Sequence, residues 1–378
     1  MKIKNILLFM FIISMGCKNE FSIEVKDTKQ AMVVDGMITN EPGPYIVKIS
    51  LSSLINKFKR IPYEGCLVIL YENDNKQEEL TEVEPGVYKS AKDGIQGTVG
   101  NRYSISILTP NGDEYESDYQ ELRTPVGIDS VYAELTYKQQ EEIPYTLPGY
   151  QFYVDTKAAP TQESYFLWNM EETFEYTAAY YPFAYYNGDT ILINNADTII
   201  EDHYRCWNTQ NVKSIYTAAT SNLDVPKVYE QPLHFIGTDS KKLQERYSLL
   251  LKQYNVSKEA YVFWKKIEEQ YAEDNFLVAS QPYNISGNVK HTENPDELVY
   301  GYFTVASKEE KRIFFDRPDA RFYYEQCLVY YNLKNFYDEH KPIYIIELEG
   351  ELAGVYKICI DCTLEGGHPE KPDFWIDN

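Results

Sequence analysis

Alternating apolar and polar positions dominate the chain from Ala31 onward. "AMVVDGMIT" and "YIVKISLSS" predict two early strands, and "GCLVILYENDNKQEEL" predicts a strand, a polar turn and a second strand. In "NRYSISILTPNGDEYESD", Tyr103, Ile105 and Ile107 alternate with polar residues and Asn111-Gly112 supplies a tight turn, a strong hairpin signal. Closely spaced strands with no helical pattern between them predict an Ig-like β-sandwich over 31–124.

Thr124-Pro125-Val126-Gly127 reads as a joint, and a second strand-rich unit is predicted over 125–378. Its strands are "DSVYAELTYK", "GYQFYVDT", "SYFLWNMEETFEYT", "RYSLLLKQY", "ELVYGYFTVAS", "KRIFFD", "PIYIIELEG" and "GVYKICID". "DTILI" and "DTII" around Asn194-Asn195 read as a hairpin. One helix interrupts the strands near 257–273. Ser257 is its N-cap, and Ala260, Trp264, Ile267 and Tyr271 fall on one face, so Trp264 reads as core. The fold class is therefore mainly β: an Ig-like β-sandwich, then a second β-sandwich-like domain with a helical insertion.

The N-terminus changes the picture by fixing the compartment. Lys2 and Lys4 precede an apolar run from Ile6 to Ile13, the pattern of a signal peptide over 1–16 and too short to span a bilayer. Ser14-Met15-Gly16 before Cys17 resembles the bacterial lipoprotein cleavage box, with Ser14 where leucine is usual. Cys17 is then the lipidated residue, and 17–30 is the lipidated cysteine with its polar tether. N-terminal acylation implies membrane lipid as a partner.

Formal charge is −22, and removal of Lys2 and Lys4 with the leader makes it more negative still. This argues against nucleic acid, whose phosphates require a basic face, and against anionic lipid headgroups. The 35 tyrosines, against 17 phenylalanines, suit half-buried strands and contact surfaces that are dry on one side and wet on the other.

An exported chain favours disulfides among Cys206, Cys327, Cys359 and Cys362. A strand running through Cys359 and Cys362 points them to opposite faces, which disfavours a bond between them. Each then bonds to Cys206 or Cys327. The reading leans to Cys206–Cys362 with Cys327–Cys359, and the converse stays open. A zinc site built from Cys359, Cys362, His368 and Cys206 is the lesser reading, because thiolate ligands need a reducing or protected setting. Cys66, alone in the first sandwich, reads as a buried free thiol.

No GxSxG elbow, HExxH, P-loop or dinucleotide fingerprint is present. His203, His234, His291, His340 and His368 lack metal-ligand spacing. Acidic pairs such as Glu171-Glu172 and Glu201-Asp202 are expected by chance among 58 acidic residues, and strand neighbours point to opposite faces. The expectation is no enzyme, no metal and no cofactor. Tyr180, Tyr181, Phe183, Tyr185 and Tyr186 crowd one stretch that a projecting hairpin would expose and its own sheet would bury. Phe374 and Trp375, near the end of the sequence, must likewise pack on a partner or on the protein itself.

"YSLLLKQYNVSKEAYVFWKKI", "QPYNISGNVKHTENPDELVYGYFTVAS", "KRIFF" and "CIDCTLEGGHPEKPDFW", with "VVDGMITNEPGPYIVKIS" earlier, resemble in this order a Bacteroidota lipoprotein family known as domain of unknown function 4249. The resemblance implies a lipoprotein leader, a largely β architecture and a TonB-dependent outer-membrane receptor as partner. It implies a lid, plug or substrate-capture subunit, lipid-anchored in the outer membrane and facing the cell exterior. Lys18-Asn19-Glu20 partly resembles the surface-export signal. The alternative expectation is a surface glycan-binding or adhesive protein independent of a transporter, with exposed coplanar aromatics on one sheet face.

Overall fold

The structure, a computed structural model, describes residues 30–52, 61–73, 75–139, 145–158, 163–186, 190–193, 203–273, 285–324, 327–331 and 343–377. Cys17, the leader and most of the tether lie outside the described residues, as do Asn194-Asn195, "DTII", Glu201-Asp202 and His340.

The first region holds β1 (Met32–Thr39), β2 (Ile46–Leu51), β3 (Ile61–Pro62), β4 (Leu67–Glu72), β5 (Lys76–Glu84), β6 (Val87–Lys89), β7 (Arg102–Leu108), β8 (Glu114–Ser117) and β9 (Gln120–Glu121). Beyond the joint come β10 (Ile128–Gln139), β11 (Thr146–Thr156), β12 (Tyr165–Thr177), β13 (Ala184–Tyr186), β14 (Ile191–Ile193), β15 (Arg205–Asn211), β16 (Tyr216–Ala219), β17 (Gln231–Gly237) and β18 (Arg246–Asn255). Helix α1 (Lys258–Glu273) follows, then β19 (Val289–His291), β20 (Val299–Asp316), β21 (Ile343–Leu348) and β22 (Glu351–Val355). The protein is mainly β, and the layers are sandwich-like.

Hydrogen-bonded neighbours run β15-β12-β18-β20-β1-β2-β6-β5-β4-β7-β8-β19. Separate sheets run β10-β11-β17 and β14-β13-β21-β22. The predicted β7–β8 hairpin forms, and Gly112 takes φ +91° in its turn while its N–H donates to Thr109 O. Ile191–Ile193 pairs back to β13, Ile193 opposite Ala184 and Ile191 opposite Tyr186.

The two β-rich regions share a beam. β20 is 18 residues long, where the sequence suggested two strands. Its first half pairs in parallel with β1, from Met32 opposite Val299 to Thr39 opposite Ala306. That half gives Val299, Phe303 and Val305 to the core of the first sandwich, and Val289 of β19 joins them. Its second half pairs with β18, and Ile313 and Phe315 pack against the second core. The polar run Ser307–Lys311 lies between the two cores and explains the two-strand reading.

The second core lies between β12–β18 and the sheet β10-β11-β17. Phe166, Trp168, Met170, Phe174 and Tyr176 of β12 face it at every second position. The intervening Tyr165 and Leu167 face α1 on the other side. Ser257 caps α1, its Oγ accepting from Ala260 N–H at 3.1 Å. Ala260 is buried, Trp264 and Ile267 are partly so, and Phe263 packs deeper than either, at 7% exposure. Tyr271 is helical, with its side chain outside the described set.

One expectation fails. β22 ends at Val355, so the strand does not run through Cys359 and Cys362. Both sit in 3-10 turns, Lys357–Cys359 and Cys362–Glu365. Asp361 caps the second turn, accepting from Thr363 N–H at 3.1 Å. The two pairs are nonetheless Cys206–Cys362 and Cys327–Cys359. Cys66 is free and buried, and burial pushes its thiol pKa up.

Candidate functional site

The C-terminal residues build one end of the second sandwich. β21 pairs with β13 on one side and β22 on the other. Ile346, Ala353 and Val355 face a small core with Cys359 and Ile360, and Tyr180, Tyr344 and Tyr356 close over it. Cys327–Cys359 pins the segment 327–331 to this core, and Tyr330 bridges Gly354 by two backbone hydrogen bonds of 2.9 Å. Cys206–Cys362 fastens the same end to β15. Beside it Tyr176 Oη donates to Cys362 O at 2.7 Å.

Asp361 organises the junction. Its carboxylate is buried and accepts from Thr363 and from His203 Nδ1 at 3.2 Å, with Lys357 Nζ 3.4 Å away. Burial opposes its charge, but the hydrogen bonds from Thr363 and His203 prevail and hold its pKa below the usual carboxylate range. Trp207 and His368 exchange backbone hydrogen bonds of 2.8 Å, so the last segment adds to the β15 edge. A groove of about 630 Å³ lies between them, lined by Trp207, Thr209 and the His368–Asp373 segment.

The sequence-nominated residues divide between interior and surface. Trp375 is 6% exposed and packs edge-on against Phe314 and Trp207, so it presents nothing to a partner. Phe374 keeps 37% exposure, with the Arg312 guanidinium 3.6 Å from its ring centroid. Tyr180 belongs to the small core, and its N–H donates to Cys359 O. Tyr185 and Tyr186 are half-buried. Tyr181 and Phe183 face solvent, Tyr181 edge-on to Tyr204. Ile191, Ile193, Leu328 and Tyr331, none of them nominated from the sequence, are also more than half exposed at this end. For Ile191 and Ile193 the sequence signal is an apolar strand too short to bury both faces.

Glu171 and Glu172 point to opposite faces of β12, Glu171 to Arg312 and Lys252, and Glu172 into the second core. Among the described residues no group of three His, Cys, Asp or Glu is disposed to hold a metal ion, and the nominated zinc ligands Cys206 and Cys362 are bonded to each other. Nor is any helix of the described residues long and apolar enough to cross a membrane.

A family model described as a domain of unknown function, DUF4249, matches residues 18–312. The chain belongs to that family. The match takes in the first sandwich, α1 and most of β20. Cys327, Cys359, Cys362 and the groove segment of this DUF4249 chain fall beyond it. No curated protein matches the chain.

Proposed function

We propose that this DUF4249 chain is a non-enzymatic outer-membrane lipoprotein, acylated at Cys17. In this reading it is the accessory subunit, as lid, plug or substrate-capture protein, of a TonB-dependent transporter. The observation that carries the reading is the disulfide-braced C-terminal end. It leaves Tyr181, Phe183, Ile191, Ile193, Leu328 and Tyr331 in solvent around a rigid small core. Aromatic and aliphatic side chains held on a stiff frame are what protein contact surfaces enrich, and pre-ordering lowers the entropy lost on docking. The acidic surface disfavours anionic lipid as the occupant. The leader, by the lipoprotein resemblance, supplies the anchor.

The test is extraction of the C-terminally tagged protein from native membranes in mild detergent. Stoichiometric retention of one TonB-dependent receptor is the expected result. Recovery of the protein alone refutes the reading. A glycan-binding reading has one observation in its favour: Tyr132 and Tyr153, directly opposite on β10 and β11, stack at 5.5 Å with planes 21° apart. It predicts sugar binding by the isolated protein, lost on Tyr132→Ala.

A further inference from the structure

We propose that the outer edge of β10 is a self-complementary docking strand. Two copies of the chain pair along it, antiparallel, about a two-fold axis at Thr136. β10 ends its sheet, and β11 is its strand partner. Among the described residues, no main-chain hydrogen bond from Ser130–Lys138 to another segment adds to that ladder. Unpaired N–H and C=O groups along an edge are a template for a further strand. Proteins usually blunt such edges with proline, bulges, brevity or charged side chains, and of these β10 carries Glu134 and Lys138, whose opposite signs repel a like-charged strand but not each other. β10 has 12 residues, no proline, and one irregularity confined to Ile128/Ser130.

The side chains say what fits. On the core-facing side Val131 is buried and Ala133 packs against the core. Leu135 and Tyr137, next on the same side, are 40% and 61% exposed. The hairpin therefore runs past its own core and leaves an apolar pair uncovered. On the other side Glu134 and Lys138 are both exposed. A two-fold axis through Thr136, perpendicular to the sheet, sets Leu135 opposite Tyr137 of the second copy on one face. On the other face it sets Glu134 opposite Lys138 of the second copy. Symmetry repeats each match, and the two-residue period of a strand keeps the charges and the apolar groups apart. Centring on Leu135 or on Tyr137 loses the charge match.

In the single chain Lys138 Nζ lies inward over the sheet, donating to Gln151 Oε1 of β11 at 2.6 Å and 4.3 Å from the Phe235 ring centroid of β17, and it must turn outward to the edge to meet Glu134 of the second copy. The formal charge of −22 on each chain opposes association. The partner strand must therefore bring matched charge and apolar contact, and a second β10 brings both.

The test is the sedimentation of the full chain in mild detergent at about 0.15 M salt, where long-range repulsion is screened. The wild type is compared with Glu134→Lys, Lys138→Glu and the double variant carrying both. Thermal unfolding of each variant establishes that it is folded. The wild type is expected to dimerise at micromolar concentration. Either single reversal faces like charges twice across the axis and raises the dissociation constant about tenfold or more. The double reversal restores the charge match and the dimer. A monomeric wild type overturns the proposal, and so does a dimer indifferent to all three variants. No receptor takes part, so failure here leaves the transporter reading standing, and failure there leaves this one.

Discussion

Glu172 and Lys242 offer a sharp test of how the second core tolerates charge. Glu172 sits between Met170 and Phe174 on the core face of β12, and its side chain is 2% exposed. Its Oε1 accepts from Lys242 Nζ at 2.5 Å and Gln210 Nε2 at 2.6 Å, and its Oε2 accepts from Tyr247 Oη at 2.9 Å. The partners differ in burial, because the Lys242 side chain keeps 27% exposure. Lys242→Met therefore strands a carboxylate in an apolar core and is expected to cost about 3–5 kcal/mol. Glu172→Leu strands an ammonium that re-solvates, and mainly deprives Tyr247 of its acceptor, costing about 1–2 kcal/mol. The double variant should cost little more than Glu172→Leu alone, giving a coupling of about 2 kcal/mol or more. Urea unfolding followed by tryptophan fluorescence reads this directly, since Trp168 lies in the same core, and unchanged slopes would show that midpoints report stability. A Lys242→Met cost below that of Glu172→Leu would refute the reasoning, because the deeper charge would then not be the one that needs its partner.

Three further outcomes follow from the same geometry. Cys362→Ser opens a link spanning 156 residues and is expected to cost up to about 5 kcal/mol, with a larger loss of the urea midpoint than Cys327→Ser, whose link spans 32. Gly301 has φ +80°, and a Cβ there would lie 2.0 Å from Val34 O, so Gly301→Ala should separate β1 from β20 and yield little folded protein by circular dichroism. Stability should fall on acidification. Burial lowers the pKa of His234, and Glu171, despite burial, is held low by Arg312 and Lys252, as Asp361 is by Thr363 and His203. A depressed folded pKa gives stability that is full above the unfolded value and lost as pH falls through the folded one. Loss is therefore expected first below about pH 6.5 and then more steeply below about pH 4.5, while Glu268, raised by burial, softens it. A urea midpoint flat between pH 7 and pH 4 would contradict these assignments.

The alternation of Tyr103, Ile105 and Ile107, and the turn at Asn111-Gly112, made β7 and β8 legible because both signals are local. Helix α1 was legible by its cap and its apolar face, though Phe263 packs deeper than Trp264 because the face is wider than one row. β20 was not legible as one strand. Its middle residues, Ser307–Lys311, cross between two cores and carry the polar character of a turn. The turn at Cys362 had a local signal, Asp361 two residues before Thr363, outweighed by the apolar "GVYKICI". The cysteine pairs came out as the reading leaned, for a different reason: two successive turns, not two faces of a strand, aim the sulfurs apart. The burial of Glu172 among aromatics was invisible, since its partners come from β15, β18 and a 3-10 turn that only the fold brings together. The exposed Ile191 and Ile193 were hidden too, because an apolar triplet does not say which of its faces is covered.

The pairing of β1 also has a mechanical meaning. β1 is the first described strand after the proposed tether, and it lies between β2 and β20, antiparallel to one and parallel to the other. Force drawn on the chain from its N-terminal side acts along β1, at right angles to the hydrogen bonds on both of its edges. Those bonds are loaded together, in shear, and not one after another as in an unzipping hairpin. A pull along the strand axis would then meet two ladders at once, because the strand that takes the strain is clamped by a partner drawn from much later in the sequence.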